Sequence, residues 1–260
     1  MTAAVLAATG LEKHFGGVYA TQGVDLTLEV GARHALIGPN GAGKTTLVGL
    51  LSGALVPDSG TVLLRGRDIT RLSPEGRVKL GLVRTFQVNS LFRTLSVFQN
   101  VFLAACERLG VSRVMFRTAA RQTEAAASAW RVLELLGLES HAATRVAEVA
   151  YGRQRLVEIA IALVLEPKVL LLDEPAAGIP SAELPALLAA IDGLADDIAI
   201  LMIEHDMQVV RRFARTVTVL AEGTVLETGT PEVVMNSARV RSAYLGKSGQ
   251  ERYRARPLHA

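Results

Sequence analysis

The 260-residue sequence has little cysteine and no long apolar run, and both shortages limit what the chain can be. Its one cysteine, Cys106, cannot form an intrachain disulfide, which is consistent with a reducing compartment. The longest strictly apolar run, residues 159–165, is far shorter than the roughly 18 residues that cross a bilayer. The N-terminal residues lack the basic start of a signal peptide, and we interpret them as the first strand of the fold.

The formal net charge of +3 is unevenly distributed along the chain. Residues 239–260 carry six Lys or Arg and one Glu, so residues 1–238 have a net charge of −2. We interpret residues 247–260 as a solvated basic tail, with contact to anionic lipid or nucleic acid as the less favoured alternative. The hydrophobic content of 50% is enough for the core of one large domain.

Two kinds of strand pattern are present. Val24, Leu26, Leu28 and Val30 alternate with polar residues, and residues 61–69 form a further strand pattern with a glycine turn, so we expect an N-terminal antiparallel layer. Residues 169–172 and 198–203 are continuous apolar runs separated by helical patterns, as in strands that are buried on both faces of a mainly parallel sheet. The pattern therefore predicts an α/β fold.

Residues from about 94 to 148 have only helical patterns and are predicted to form an inserted helical subdomain. Ser96 and Gln99 have the spacing of a capping box at a helix start. A second amphipathic stretch places Trp130, Leu133 and Leu136 on one face and ends at Gly137. The alternative is that these helices only pack against the main core.

The strongest chemical signal is the segment G-P-N-G-A-G-K-T-T, which follows a predicted strand and precedes a predicted helix. It matches the phosphate-binding loop G-x-x-x-x-G-K-[ST], in which backbone N–H groups and the helix N-terminus surround an anion. We expect Lys44 to reach the β- and γ-phosphates of a nucleotide and the Thr45 hydroxyl to bind Mg²⁺. The predicted nucleotide-binding residues of this segment are Gly38, Pro39, Asn40, Gly41, Ala42, Gly43, Lys44, Thr45 and Thr46.

Polar side chains also follow two of the predicted buried strands. Asp173 and Glu174 end the strand V-L-L-L-D-E, and His205 follows the strand I-A-I-L-M-I. At the carboxyl edge of a parallel sheet, Asp173 is expected to hold Mg²⁺ through water and Glu174 to orient the attacking water. His205 is expected to contact a γ-phosphate, although a lone histidine is more often structural.

A glycine in V-A-Y-G-R-Q, residues 149–154, stands just before another predicted helix. This segment is either a phosphate-binding cap or an ordinary helix start, and its own residues do not decide between the two.

Together these motifs resemble the nucleotide-binding subunits of ABC transporters, from about residue 5 to residue 246. The order of phosphate loop, Q-loop, signature segment, acidic strand end, D-loop and switch histidine is that of this family. More narrowly, the segments R-T-F-Q (84–87), A-Y-G (150–152), D-E-P-A-A-G (173–178), E-H-D-M (204–207) and A-Y-L-G (243–246) resemble the ATP-binding subunits of branched-chain amino-acid importers. The resemblance implies one nucleotide-binding domain over residues 1–246.

The resemblance also implies roles for individual residues. Gln87 matches the Q-loop glutamine that binds Mg²⁺ and links the site to the helical subdomain, Glu174 the catalytic base and His205 the switch histidine. Lys44 and Gln87 complete the implied catalytic set. Phe15 matches an aromatic residue on which adenine stacks, with a core aromatic as an equally weighted alternative.

Residues Ala150, Tyr151, Gly152 and Arg153 align with the signature segment that caps the γ-phosphate bound to the opposite subunit. Ala150 replaces a serine whose hydroxyl would bond that phosphate, and Arg153 replaces a glutamine. Pro180 stands in the D-loop, where its fixed φ and missing N–H change the expected contacts across a dimer.

The resemblance implies an ATPase that uses ATP and Mg²⁺ to power import of branched-chain or other hydrophobic amino acids. The implied partners are a second ATP-binding subunit in a heterodimer, two membrane permeases and a periplasmic solute-binding protein, with no nucleic acid. The implied location is peripheral, at the cytoplasmic face of a bacterial inner membrane. The alternative is a soluble ABC-type ATPase of a cofactor-assembly or nucleic-acid system.

Overall fold

A computed structural model describes residues 4–85, 91–111 and 119–244 of the chain. Within these residues the chain forms two sheets and eight α-helices. The mixed α/β architecture, with an antiparallel N-terminal layer beside a mainly parallel sheet, confirms the predicted fold class. No helix in these three ranges is both long and apolar enough to cross a membrane. The predicted basic tail, residues 247–260, lies outside the described residues.

The N-terminal sheet has four antiparallel strands in the order β2-β1-β4-β5. Val24, Leu26 and Leu28 point into the core, as their alternation predicts. Val30 does not, because β2 ends at Glu29 and Val30 is 45% exposed in the turn that follows. The strands are β1 (Ala4–Phe15), β2 (Val18–Glu29), β4 (Ser59–Leu64) and β5 (Arg67–Asp68).

The second sheet has six strands in the order β10-β9-β3-β8-β7-β6. All neighbours are parallel except the β9–β10 hairpin. Every residue of β3, β7 and β8 is buried, which agrees with the apolar runs that make up β8 and all of β7 before Asp173. β3 also buries Arg33 and His34 before its apolar residues Ala35, Leu36 and Ile37. The strands are β3 (Arg33–Ile37), β6 (Leu82–Arg84), β7 (Val169–Asp173), β8 (Ala199–Ile203), β9 (Thr216–Ala221) and β10 (Thr224–Gly229).

The helices begin where the sequence supplies caps. Ser96 accepts a hydrogen bond from the Gln99 N–H, and the Gln99 side chain accepts one from Ser96, so the predicted capping box is present. The helices are α1 (Lys44–Ser52), α2 (Pro74–Lys79), α3 (Val97–Arg108), α4 (Ala119–Leu135), α5 (Tyr151–Leu163), α6 (Leu184–Asp192), α7 (Met207–Phe213) and α8 (Pro231–Asn236).

The region predicted as a helical insertion contains α3, α4 and two short 3₁₀ turns. Its two ends meet, because the Val97 N–H bonds the Thr144 carbonyl at 3.0 Å and the Val146 N–H bonds the Leu95 carbonyl at 3.0 Å. On α4, Leu133 is buried as predicted, whereas Trp130 is 42% exposed and donates to Glu134. Ends that meet at one place allow such a region to be inserted without breaking the sheet.

Arg77 on α2 is fully buried and holds the end of α1. Its guanidinium donates to the carbonyl oxygens of Leu50 (2.7 Å), Leu51 (2.6 Å), Thr70 (2.9 Å) and Leu72 (3.1 Å). Burial lowers the pKa of Arg77 to about 10. The bonds to Leu50 and Leu51 satisfy carbonyls in the last turn of α1, the helix that follows the phosphate loop.

We predict that Arg77→Met lowers the free energy of unfolding by about 3 kcal/mol, because it leaves several buried carbonyl groups without donors. Urea denaturation of the two proteins measures the difference. Lys79→Met, which removes an exposed charge from the same helix, is the control and should change stability by less than about 0.5 kcal/mol. Equal stability of Arg77→Met and wild type would contradict this role of Arg77.

Candidate nucleotide-binding site

The phosphate loop connects the end of β3 to the start of α1. Gly43 is the N-cap of α1 with φ 99°, a left-handed conformation that glycine adopts without strain. A β-carbon at Gly43 would also collide with the carbonyl oxygen of Ala20, on the strand that passes the loop. Backbone conformation and packing therefore both require glycine here. The N–H groups of the first turn of α1 have no side-chain cap, so they can donate to an anion.

Lys44, the first residue of α1, folds back over the loop. Its Nζ donates to the carbonyl oxygens of Gly38 at 2.7 Å and Pro39 at 3.0 Å. Burial lowers the pKa of Lys44, while the nearby carboxylates of Glu174 and Asp173 oppose that shift. The structure thus brings Lys44 and the acidic end of β7 within electrostatic range of each other.

The acidic end of β7 lies beside the end of β8. Asp173 is 6% exposed and ends β7, while Glu174 follows with φ 47°, an uncommon conformation for a residue with a side chain. The Glu174 Oε1 lies 3.8 Å from the His205 Nδ1, and His205 is exposed. The predicted acid and histidine are therefore neighbours at one edge of the sheet.

Two charged residues of this region, one buried and one partly buried, were not predicted from the sequence. Glu204 is 1% exposed, and its carboxylate accepts hydrogen bonds from the N–H groups of Ala176 (3.0 Å) and His205 (3.2 Å). Burial raises the pKa of Glu204. Because the Glu174 N–H also bonds the Ile203 carbonyl at 3.0 Å, the turn after β7 is fixed to the loop after β8. An acidic residue directly before a strand-end histidine was the available signal.

Arg84, at the end of β6, is the second missed residue. Its Nη2 lies 2.7 Å from the Oδ2 of Asp173, the residue predicted to hold Mg²⁺. The sequence R-T-F-Q had indicated only Gln87, and Gln87 lies outside the described residues. The role predicted for Gln87 therefore stays a prediction.

The segment V-A-Y-G-R-Q contains the start of α5, with Ala150 as the N-cap and no side-chain cap bond. A β-carbon at Gly152 would meet the carboxylate of Glu183, so a larger residue here requires that flexible side chain to shift. The Tyr151 hydroxyl accepts a bond from Arg155 at 2.7 Å. Arg153 contacts the ring of His141, whose other nitrogen lies 2.9 Å from the Ser140 Oγ. The N-terminus of α5 is therefore formed at this segment. The Arg153 side chain is occupied by its contact with His141 of the same chain.

Phe15 lies at the end of β1 and is 51% exposed, so the alternative of a core aromatic is wrong. The Lys13 Nζ lies 5.8 Å from the centre of its ring. The following strand, β2, brings the Ala20 carbonyl against the loop at Gly43. Phe15 therefore presents a free aromatic face on the hairpin that borders the phosphate loop.

Tyr244, in the A-Y-L-G segment, also contacts the loop. Burial raises the pKa of Tyr244 to about 12, opposed by a hydrogen bond with the Gly38 backbone. The described chain therefore ends beside the phosphate loop.

Oxygen atoms are the donors available for a metal at this site. The Thr45 hydroxyl and the Asp173 carboxylate are hard ligands of the kind that Mg²⁺ accepts. Within the described ranges, no group of three or more His, Cys, Asp or Glu side chains is placed to hold a metal. The Thr45 hydroxyl and the Asp173 carboxylate fit Mg²⁺, because proteins commonly bind this ion with one or two carboxylates together with substrate phosphates.

The fold and the site together define a P-loop nucleotide-binding cassette. A family model described as ABC transporter matches residues 21–177, and the chain belongs to this family. The family resemblance found in the sequence is thereby confirmed, as is membership of the ABC ATPases, which bind ATP and ADP.

Individual relatives are similar over nearly the whole chain. The high-affinity branched-chain amino acid transport ATP-binding protein LivG of Salmonella typhimurium is 40% identical over 95% of this chain and 100% of its own length. BraF of Pseudomonas aeruginosa, which has the same description, is 35% identical over 95% of this chain and 100% of its own length. The ADP conformation of MJ1267, an ATP-binding cassette of an ABC transporter, has a TM-score of 0.84 and 28% identity, and covers 95% of this chain and 100% of its own.

We predict that Glu204→Leu lowers the free energy of unfolding by about 2 kcal/mol, because the N–H groups of Ala176 and His205 lose an acceptor that lies in the protein interior. Glu204→Gln should lose less, since its carbonyl oxygen still accepts one bond. Denaturant unfolding measures both, with Glu124→Gln on the exposed face of α4 as the control. If Glu204→Leu were as stable as wild type, Glu204 would not connect the two loops.

Proposed function

We propose that this chain is the ATP-binding and ATP-hydrolysing subunit that powers import of branched-chain or other hydrophobic amino acids through partner permeases. The observation that carries the proposal is the meeting of the phosphate loop, the acidic end of β7 and His205 at one sheet edge. The solute class is supported by full-length similarity to relatives described as branched-chain amino acid transport ATP-binding proteins.

The phosphate loop supplies most of the nucleotide contacts in this proposal. Backbone N–H groups of the loop and of the first turn of α1 bind the phosphates, and Lys44 exchanges its carbonyl partners for phosphate oxygens. Phe15 stacks on the adenine. The nine loop residues from Gly38 to Thr46 form the cofactor site.

Hydrolysis depends on positioning a water against the γ-phosphate. Glu174 accepts the proton of this water or orients it, from a backbone position with the uncommon φ of 47°. His205 contacts the γ-phosphate and senses its loss. Thr45, Asp173 and Gln87 would hold Mg²⁺, which would supply positive charge beside the phosphates.

A second ATP-binding subunit completes the site in this proposal. The chain has one phosphate loop and one signature segment, and these face the same ATP only from opposite subunits. Ala150 lacks the hydroxyl that would bond the γ-phosphate, and losing one bond to a charged group costs about 1.5–3 kcal/mol. Arg153 is engaged with His141 and does not replace that bond. We therefore propose a heterodimer in which this signature segment, Ala150 to Arg153, forms the weaker cap.

The remaining partners follow from the transport role. Two permeases form the membrane pathway, a periplasmic solute-binding protein delivers the amino acid, and no nucleic acid takes part. The heterodimer binds the permeases at the cytoplasmic face of a bacterial inner membrane. ATP binding closes the dimer and hydrolysis reopens it, because ATP and ADP differ in affinity for the closed state.

We predict that Glu174→Gln lowers the steady-state ATPase rate of the assembled transporter by about 10²-fold or more while ATP binding is retained, because the amide cannot accept a proton. Phosphate release and equilibrium binding of ATP measure the two effects. Glu124→Gln serves as the surface control and should hydrolyse ATP at the wild-type rate. A Glu174→Gln protein with wild-type turnover would exclude Glu174 as the base.

The heterodimer proposal predicts unequal effects of the same change in the two subunits. Glu174→Gln here should reduce turnover more than the equivalent change in the partner subunit, because the partner's site has the weaker cap. ATPase rates of the two singly altered complexes, purified with their permeases, test this. Equal losses, or purification of this chain as a homodimer with the permeases, would contradict the asymmetry.

A further inference from the structure

We propose that Arg84 is a positioning residue that provides the counter-charge for Asp173 when no metal is bound, and thereby makes Mg²⁺ binding depend on nucleotide. The inference rests on the proposed role of Asp173 in holding Mg²⁺. Arg84 itself is not placed among the residues that contact nucleotide. Its effect is exerted through the carboxylate of Asp173.

The placement of Arg84 follows from strand pairing. β6 runs parallel to β7, with Arg84 opposite Leu171, and the Thr85 N–H bonds the Leu171 carbonyl at 2.9 Å. This register puts Arg84 beside the end of β7. Its Nη2 then reaches the Asp173 Oδ2 at 2.7 Å, with the two side chains 17% and 5% exposed.

The guanidinium has few other partners among the described residues. The Arg84 Nη1 lies 3.5 Å from the Ser52 Oγ, which is the outer limit of a hydrogen bond, and the buried Arg84 Nε has no hydrogen-bond partner there. A charge removed from water in this way is stable only when it is paired. Asp173 therefore neutralises the charge of Arg84, and Arg84 neutralises the charge of Asp173.

The pair changes how the site responds to a cation. Lys44 is also within electrostatic range of Asp173 and Glu174, so two cations face two carboxylates before any ligand arrives. A divalent cation entering alone meets the positive charge of Arg84 as well as the negative charge of Asp173. The phosphates of a nucleotide bring the missing negative charge, so the metal enters together with the nucleotide.

A structural role alone is the competing explanation. In that case the ion pair would only fasten β6 to β7, and its loss would reduce stability without changing the relation between metal and nucleotide. The two explanations differ in the ratio of the ADP dissociation constant in EDTA to that in Mg²⁺, which measures the coupling between the two ligands.

The experiment measures ADP binding by isothermal titration calorimetry in EDTA and in Mg²⁺ for wild type and for Arg84→Met. At saturating Mg²⁺ we expect the coupling ratio to decrease on the order of tenfold in Arg84→Met, because Asp173 then has no guanidinium and attracts the metal even when no nucleotide is bound. An unchanged or larger ratio would overturn the proposal. If Arg84→Met does not fold, Arg84→Gln removes the same charge and is judged by the same ratio.

Two further variants separate charge from structure. Arg84→Lys keeps the positive charge and should keep the wild-type ratio, so a ratio like that of Arg84→Met would count against the proposal. Lys168→Met removes an exposed ion pair with Asp197 (3.1 Å) and should also leave the ratio unchanged.

The same data separate this inference from the proposed function. If wild type bound ADP neither in EDTA nor in Mg²⁺, the result would contradict the nucleotide site as a whole. Mg²⁺-dependent ADP binding in wild type with an unaltered ratio in Arg84→Met would contradict only the role of Arg84.

Discussion

The parallel pairing of β3, β8 and β7 is the constraint on which the rest of the site depends. Because these strands run in the same direction, their carboxyl ends lie at one edge, and the loops that follow them are neighbours. Strand order is not chain order here, since β8 lies between β3 and β7. A phosphate loop from early in the chain thereby comes to face carboxylates more than a hundred residues later.

Backbone and side-chain bonds then fix the loops at that edge. Glu204 connects the turn after β7 to the loop after β8, and Arg77 secures the far end of the helix that starts at Lys44. Both are charged residues buried against backbone groups, an arrangement that is stable only when the bonds are made. The strained backbone at Glu174 is sustained by this surrounding structure.

The sequence predicts some of these features well and others not at all. Strand periodicity and the spacing of G-P-N-G-A-G-K-T-T are local, and they correctly predicted the two sheets, the loop and the acidic end of β7. The contact of Arg84 with Asp173 joins residues far apart in the chain, and nothing local at either residue indicates it. The exposure of Val30 and Trp130 was also unpredictable, because periodicity does not show where a strand ends or which part of a helix face is covered.

The hydrogen bonds of Lys44 to Gly38 and Pro39 have a thermodynamic consequence. Two of the three ammonium N–H groups already have acceptors in the loop, so a phosphate oxygen that bonds either of them replaces an existing partner. The net enthalpy from this residue is the difference between two sets of bonds and is therefore modest. An ATPase must release its product in every cycle, and a lysine that has internal substitute partners lowers the free-energy cost of losing its bonds to the departing nucleotide.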